Sequence, residues 1–121
     1  MAEVRRPPSI DAYGGGGFRV SGERVEGSIL ILDDVLRPWP VASREALSAE
    51  AIAEVLAAGS RAVEFLLLGI GPKTAPPPTD VRKALQAAGM GLEVMDTATA
   101  ARLYNVLAAE GRRLAAALIA I

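Results

Sequence analysis

Leu92-Glu93-Val94-Met95-Asp96-Thr97, followed by 98–110 and then Gly111-Arg112-Arg113, is the stretch on which the fold turns. It reads as a short strand, a helix start, an amphipathic helix, a glycine stop and two arginines. Asp96 or Thr97 supplies the N-cap, because a short side-chain oxygen there can accept from an otherwise unpaired N–H of the first turn. Leu103, Val106 and Leu107 recur at helical spacing and form an apolar face. Tyr104 sits at the edge of that face, and Arg102 and Asn105 lie off it. Gly111 stands at the position after the helix, where a left-handed residue ends it.

Upstream, Ala62-Val63-Glu64-Phe65-Leu66-Leu67-Leu68 is apolar on both faces and is expected to be a central strand. It ends in Gly69-Ile70-Gly71-Pro72-Lys73-Thr74. Three prolines, 76–78, then lead into a second helix, capped by Thr79 with Asp80 behind it; Val81, Leu85 and Ala88 point inward and Gly89 stops it. A crossover of this length favours parallel pairing of 62–68 with 91–95. That arrangement brings Gly69-Ile70-Gly71 and Met95-Asp96-Thr97 to one sheet edge, where open α/β sheets place ligands.

Outward from this unit, Ser48 is expected to cap a helix through 58, with Glu50 in its first turn, Gly59 as its stop, and Ile52, Val55 and Leu56 on one face. The tail 114–121 is expected to be a strand closing the sheet; as an edge strand it would be open to self-pairing. At the other end, 1–9 reads as a flexible lead and 10–13 as a short edge strand. The glycines 14–17 lead into a hairpin, Phe18-Arg19-Val20 and Glu23-Arg24-Val25, turned at Ser21-Gly22. Residues 28–32 form a buried strand, and Asp33-Asp34 turn the chain. Trp39, between Pro38 and Pro40, either anchors an interface or covers the core edge, the latter favoured. The expected fold is a single three-layer α/β domain over 10–121, with a central mixed β-sheet flanked by helices and an N-terminal β-hairpin.

Composition narrows the chemistry. One domain of 121 residues with net charge −1 carries no concentrated basic surface of the kind nucleic acid or anionic membranes need. There is no cysteine and no histidine, which removes disulfides, thiolate nucleophiles, Cys/His zinc sites and imidazole acid–base chemistry. No acidic spacing suggests a carboxylate-only cation site, so neither metal nor cofactor is expected. Residues 1–10 lack the apolar core of a signal peptide, and the apolar runs 65–68 and 114–121 are too short to span a bilayer. A cytoplasmic protein without membrane insertion is expected.

Gly17-Phe18-Arg19-Val20, Gly69-Ile70-Gly71, Met95-Asp96-Thr97, Arg102-Leu103-Tyr104-Asn105-Val106-Leu107 and Glu110-Gly111-Arg112-Arg113, in that order, resemble domain-of-unknown-function family 498. The resemblance covers about 8–121. That family includes small bacterial and archaeal proteins, a mitochondrial assembly factor for respiratory complex I and an adipogenesis-associated cytosolic protein. The resemblance implies a three-layer α/β fold with a mixed sheet and no established enzymatic activity. It supports Gly69, Gly71, Asp96, Thr97, Tyr104, Asn105, Glu110 and Arg112 by position. Members often have a cysteine before the arginine and a threonine after it; here Ala101 and Leu103 stand there.

Two functions follow. The first is a non-enzymatic interaction protein, assembly-factor-like by resemblance, with an unknown protein partner, as a monomer or homodimer. The alternative is a small-ligand- or anion-binding protein, or weak enzyme, with a cleft between the Gly69–Gly71 loop and the Asp96 helix start. Its candidate residues are Gly69, Gly71, Lys73, Asp96, Thr97, Arg102, Tyr104, Asn105 and Arg112. Asp96 is the plausible acid–base group, Lys73 or Arg102 an anion holder, and Tyr104 or Asn105 a hydrogen-bond donor. Each also has a structural reading: Asp96 or Thr97 as a cap, Arg112 as an ion-pair partner of Glu110 or a pin on the helix end.

Overall fold

The computed structural model describes residues 5–121. Strands β1 (Ile10–Gly14), β2 (Gly17–Val20) and β3 (Glu23–Glu26) form a small antiparallel sheet in that order. Strands β4 (Ile29–Leu32), β5 (Val35–Pro38), β6 (Phe65–Gly69), β7 (Gly91–Met95) and β8 (Leu114–Leu118) form the main sheet, in the order β5-β4-β8-β6-β7. β6 runs parallel to β7 and β8, while β4 is antiparallel to β5 and β8, so the sheet is mixed as expected. Helices α1 (Ala53–Ala58), α2 (Thr79–Ala87) and α3 (Thr97–Ala109) complete the fold.

Side chains alternate across the main sheet, because successive residues of a strand face opposite ways. Leu30, Leu66, Leu68, Ala115 and Ala117 join Ile52 and Val55 near α1, Val81 and Leu85 of α2, and Trp39 in one core. Ile29, Ile31, Leu67, Ala116 and Leu118 join Phe18, Val20 and α3 residues in a second core. The layers are therefore α1 and α2, the main sheet, and α3 with the small sheet. Trp39 is buried, and its indole N–H donates to the Ala51 carbonyl at 2.9 Å, so it belongs to the core edge. Gly17 makes the small sheet close-fitting: a Cβ there would lie 2.3 Å from the Val25 carbonyl oxygen.

Several local readings change. The tail strand does not close the sheet. β8 lies between β4 and β6 and is buried along its whole length, so it offers no edge for self-pairing. β5 pairs with β4 through a turn in which Asp33 and Asp34 both have positive φ, the two-residue hairpin geometry. The prolines masked this strand in the sequence; Pro38 is tolerated because it ends an edge strand. Ser48 makes no side-chain cap. The chain there starts as a 3₁₀ turn over Ala49–Ile52, and the Ala49 N–H donates instead to the Asp80 carboxylate at 2.8 Å. Thr79 is the first helical residue of α2 and Pro78 its N-cap, with no side-chain cap bond.

The largest revision is the rotation of α3. Thr97, Ala100, Ala101, Tyr104 and Ala108 are its buried residues, while Val106 is 55% exposed and Leu103 and Leu107 are half-buried. α3 lies on β6 and β8, where Gly69 and Ala116 leave little side chain between helix and sheet. Close approach selects the alanine stripe over the leucines.

Residues 1–4 of the expected lead lie outside the described residues. Arg5 is held: its guanidinium pairs with Asp34 at 2.9 Å and donates to the carbonyls of Gly111 and Arg112. The Ser9 carbonyl accepts from the Ser21 N–H.

Candidate functional site

The parallel register sets Gly69 beside Met95, so the β6 loop and the α3 start meet at the carboxyl edge of the sheet. Gly69, Gly71, Asp96 and Thr97 are brought together there. Thr97 is 0% exposed. Its hydroxyl donates to the Ile119 carbonyl at 2.7 Å and accepts from the Gly71 N–H at 3.0 Å, and its own N–H donates to the Gly71 carbonyl at 2.8 Å. The Ile119 N–H donates in turn to Gly69. One threonine thus ties α3, the glycine loop and the end of β8, and fills the space between them.

Asp96 is the N-cap of α3, accepting from the Thr99 N–H at 3.0 Å and its hydroxyl at 2.7 Å. The Thr99 N–H, then its hydroxyl, hold the Asp96 carboxyl below its ordinary value. A carboxylate lowered on folding stabilises the protein above its unfolded pKa, and that contribution is lost as pH falls through the folded value. Asp96→Ala is accordingly expected to lower the melting temperature near neutral pH. The difference from wild type should shrink below about pH 4, where the ordinary carboxylate protonates; thermal melts across that range check it.

The remaining candidates separate. Along α3, the Asn105 side chain accepts from the Ile10 N–H and donates to the Ile10 carbonyl, both at 2.8 Å, and so fastens the helix to β1. Arg102 donates to the Tyr13 hydroxyl at 2.7 Å. Lys73 stays at the carboxyl edge, where it lines a cavity of about 290 Å³ with Arg44, Ile70, Gly71 and Ile119. At the far end of α3, Arg112 pairs with Glu64 at 3.1 Å, not with Glu110, and stacks over the Phe65 ring at 5.1 Å. Its N–H donates to the Leu107 carbonyl and helps close the helix.

Tyr104 is 1% exposed, and its hydroxyl has no hydrogen-bond partner among the described residues. Burial, then the nearby Asp34 charge, push the phenol well above its ordinary value, with Arg5 acting the other way. Because the buried phenol resists ionisation, stability that is intact below the unfolded pKa is lost as pH rises from there through the folded value. Tyr104→Phe is expected to match or exceed wild type in urea unfolding near neutral pH, since it removes a buried unpaired group. It should also lack the Tyr104 share of the stability that wild type loses above about pH 10.

Two features escaped the sequence reading. Ser28 is a buried junction, donating to the Val41 carbonyl at 2.6 Å and accepting from the Ala120 N–H at 2.9 Å. A cavity of about 410 Å³ opens between α3 and β7, floored by Phe65, Leu103 and Leu107 and rimmed by Glu64, Glu93 and Arg112. Its trace in the sequence is Glu93 inside an apolar strand.

Residues 10–119 match the family described as "Protein of unknown function (DUF498/DUF598)". The chain belongs to this family. An uncharacterised protein of Rhodobacter capsulatus is 41% identical over 91% of this chain and 82% of its own length. NADH dehydrogenase [ubiquinone] 1 alpha subcomplex assembly factor 3 of Rattus norvegicus is 33% identical over 91% of this chain. The match spans 59% of that relative's length. Among solved structures, a Bartonella henselae chain described as an outer membrane protein superposes with a TM-score of 0.87. It is 34% identical, over 94% of this chain and 95% of that one. Among the described residues, no helix is long and apolar enough to cross a membrane.

Proposed function

We propose that this protein is a non-enzymatic interaction protein, assembly-factor-like, that presents a rigid α/β surface to a protein partner. The observation that carries this reading is where the candidate polar groups are engaged. Thr97, Asp96, Asn105 and Arg112 each bond the chain's own backbone or side chains, so they position α3. The likeness to a relative named as a complex I assembly factor supports the same reading. A net charge of −1 favours a protein partner over nucleic acid, and the cytoplasm is the compartment we assign.

The test is affinity capture with the tagged full chain expressed in its own host, against a tag-only control and a variant altered on the surface of α3. A protein enriched by the wild type and lost with the variant is the expected result. If nothing is enriched over the tag-only control, the reading loses its basis. A second reading, a bound small anion, draws support from Lys73 and Arg44 in the cavity at the carboxyl edge. Inorganic phosphate should then raise the melting temperature, and Lys73→Ala should abolish that rise.

A further inference from the structure

Resting on the interaction reading, we propose that β7 is the docking edge. Its occupant is an extended segment of a different protein, carrying a lysine or arginine opposite Glu93, which adds a strand to the main sheet.

The four edge strands are not equivalent. On β1, Asn105 occupies the N–H and C=O of Ile10. β3 reads Glu23-Arg24-Val25-Glu26, a charged edge with Arg24 paired to Glu26. β5 ends in Pro38, and Arg37 is bridged to Glu54 of α1. Prolines, charges and covering groups are the usual means of blunting an edge. β7 carries only Glu93 among them, and it pairs with β6 and no other described strand.

Its open side can be deduced. The Gly91 N–H donates to Glu64, and the Met95 carbonyl accepts from Ile70, so both residues turn their backbone toward β6. Backbone direction alternates along a strand, which turns the N–H and C=O of Leu92 and Val94 outward. An added strand would find donors and acceptors there. Its side chains would fall alternately on the two faces, and a cavity opens on each. On the α3 side lies the one floored by Phe65, Leu103 and Leu107; on the α2 side is one of about 550 Å³ lined by Arg82, Leu85, Gln86, Met90 and Leu92. Strand addition uses just this combination of backbone pairing and alternating pockets.

Charge selects the occupant. Arg112 is already held by Glu64 and Phe65, whereas Glu93 forms no ion pair among the described residues. A basic side chain can lay its aliphatic stem on the apolar floor and reach Glu93 with its head. A second copy fits poorly. Full antiparallel overlap of two β7 strands sets Glu93 against Glu93, and like charges directly opposite are destabilising.

The experiment is selection of a phage-displayed random peptide library on the full-length protein, followed by affinity and amide-exchange measurements. Enriched peptides should share a lysine or arginine within a β-forming run, and their binding should protect the amides of Leu92 and Val94. Val94→Pro removes an outward N–H while sparing the β6 ladder. It is expected to weaken binding by about tenfold or more, through one lost hydrogen bond and the blocked approach of the strand. Glu93→Lys, a surface change that leaves the fold intact, should reverse the preference from basic to acidic peptides. The proposal is overturned if no peptide is enriched, if peptides bind Val94→Pro equally well, or if the two amides are already protected in a concentration-dependent dimer of the free protein. Successful affinity capture alongside any of these outcomes removes β7 as the docking edge and leaves the interaction role standing.

Discussion

Replacing Thr97 with valine is expected to lower the unfolding free energy by about 2–6 kcal/mol, since two buried polar groups lose their partner at about 1–3 kcal/mol each. Valine fills nearly the same volume, so the loss is not one of packing. The hydroxyl accepts from the Gly71 N–H and donates to the Ile119 carbonyl, and both bonds are buried. Thr97→Ser keeps the hydroxyl and should recover most of the loss, leaving the smaller cost of a missing methyl group. Urea unfolding of the two variants checks this directly. Equal stability for valine and threonine would mean that the hydroxyl does not hold the loop, and the closed edge between β6 and α3 would need another explanation.

Gly69→Ala is the second large effect. A Cβ at this position would lie 2.8 Å from the Leu118 Cδ2, 3.0 Å from the Thr97 Cα and 3.2 Å from the Ala100 Cβ. The Leu118 methyl can give way, but the Thr97 contact is helix backbone, so α3 would have to lift from the sheet. Overpacking of this kind costs about 1–3 kcal/mol. Gly71→Ala provides the contrast two residues on. There a Cβ meets nothing within 4 Å, and the penalty comes only from φ of +117°. That φ lies beyond the left-handed helical region, and backbone strain of that kind costs about 1–3 kcal/mol. The two alanine variants should differ in kind. Gly69→Ala should increase amide exchange along the first turn of α3 by lifting the helix, whereas Gly71→Ala should act through the two backbone bonds that Gly71 makes with Thr97, exposing the Thr97 amide without moving the helix off the sheet.

Both variants act on the cluster of Gly69, Gly71, Asp96 and Thr97 at the sheet edge, whose bonds and close contacts hold α3 in place. The helix is fastened at its start by Thr97, along its length by Asn105 on β1, and at its end by Arg112 on Glu64 and Phe65. The consequence is a fixed α3 beside β7, with the exposed Glu93 on the rim of the cavity between them. A firmly held helix next to an unblunted strand is preorganised for binding, because little ordering entropy remains to be lost.

By itself the sequence determined the elements whose signals are local. The strand at 91–95 appears where hydrophobic pattern put it; the one expected over 62–68 begins only at Phe65 and runs to Gly69; and Asp96 caps α3 as a short acidic side chain before a helix should. Parallel pairing of β6 with β7 followed from the length of their crossover. Tertiary structure decided what depends on distant neighbours. Ala115-Ala116-Ala117 carries no period and no bulk, so nothing local placed β8 at the sheet's centre; it lies there because small residues let α3 approach closely. The same approach turned Tyr104 inward and left Val106 exposed, against a reading that followed the larger side chains. Gly69 and Thr97 were visible as a glycine and a hydroxyl. That they exclude solvent from the edge between them is a matter of contacts with Leu118 and Ile119, which only the folded sheet brings within reach.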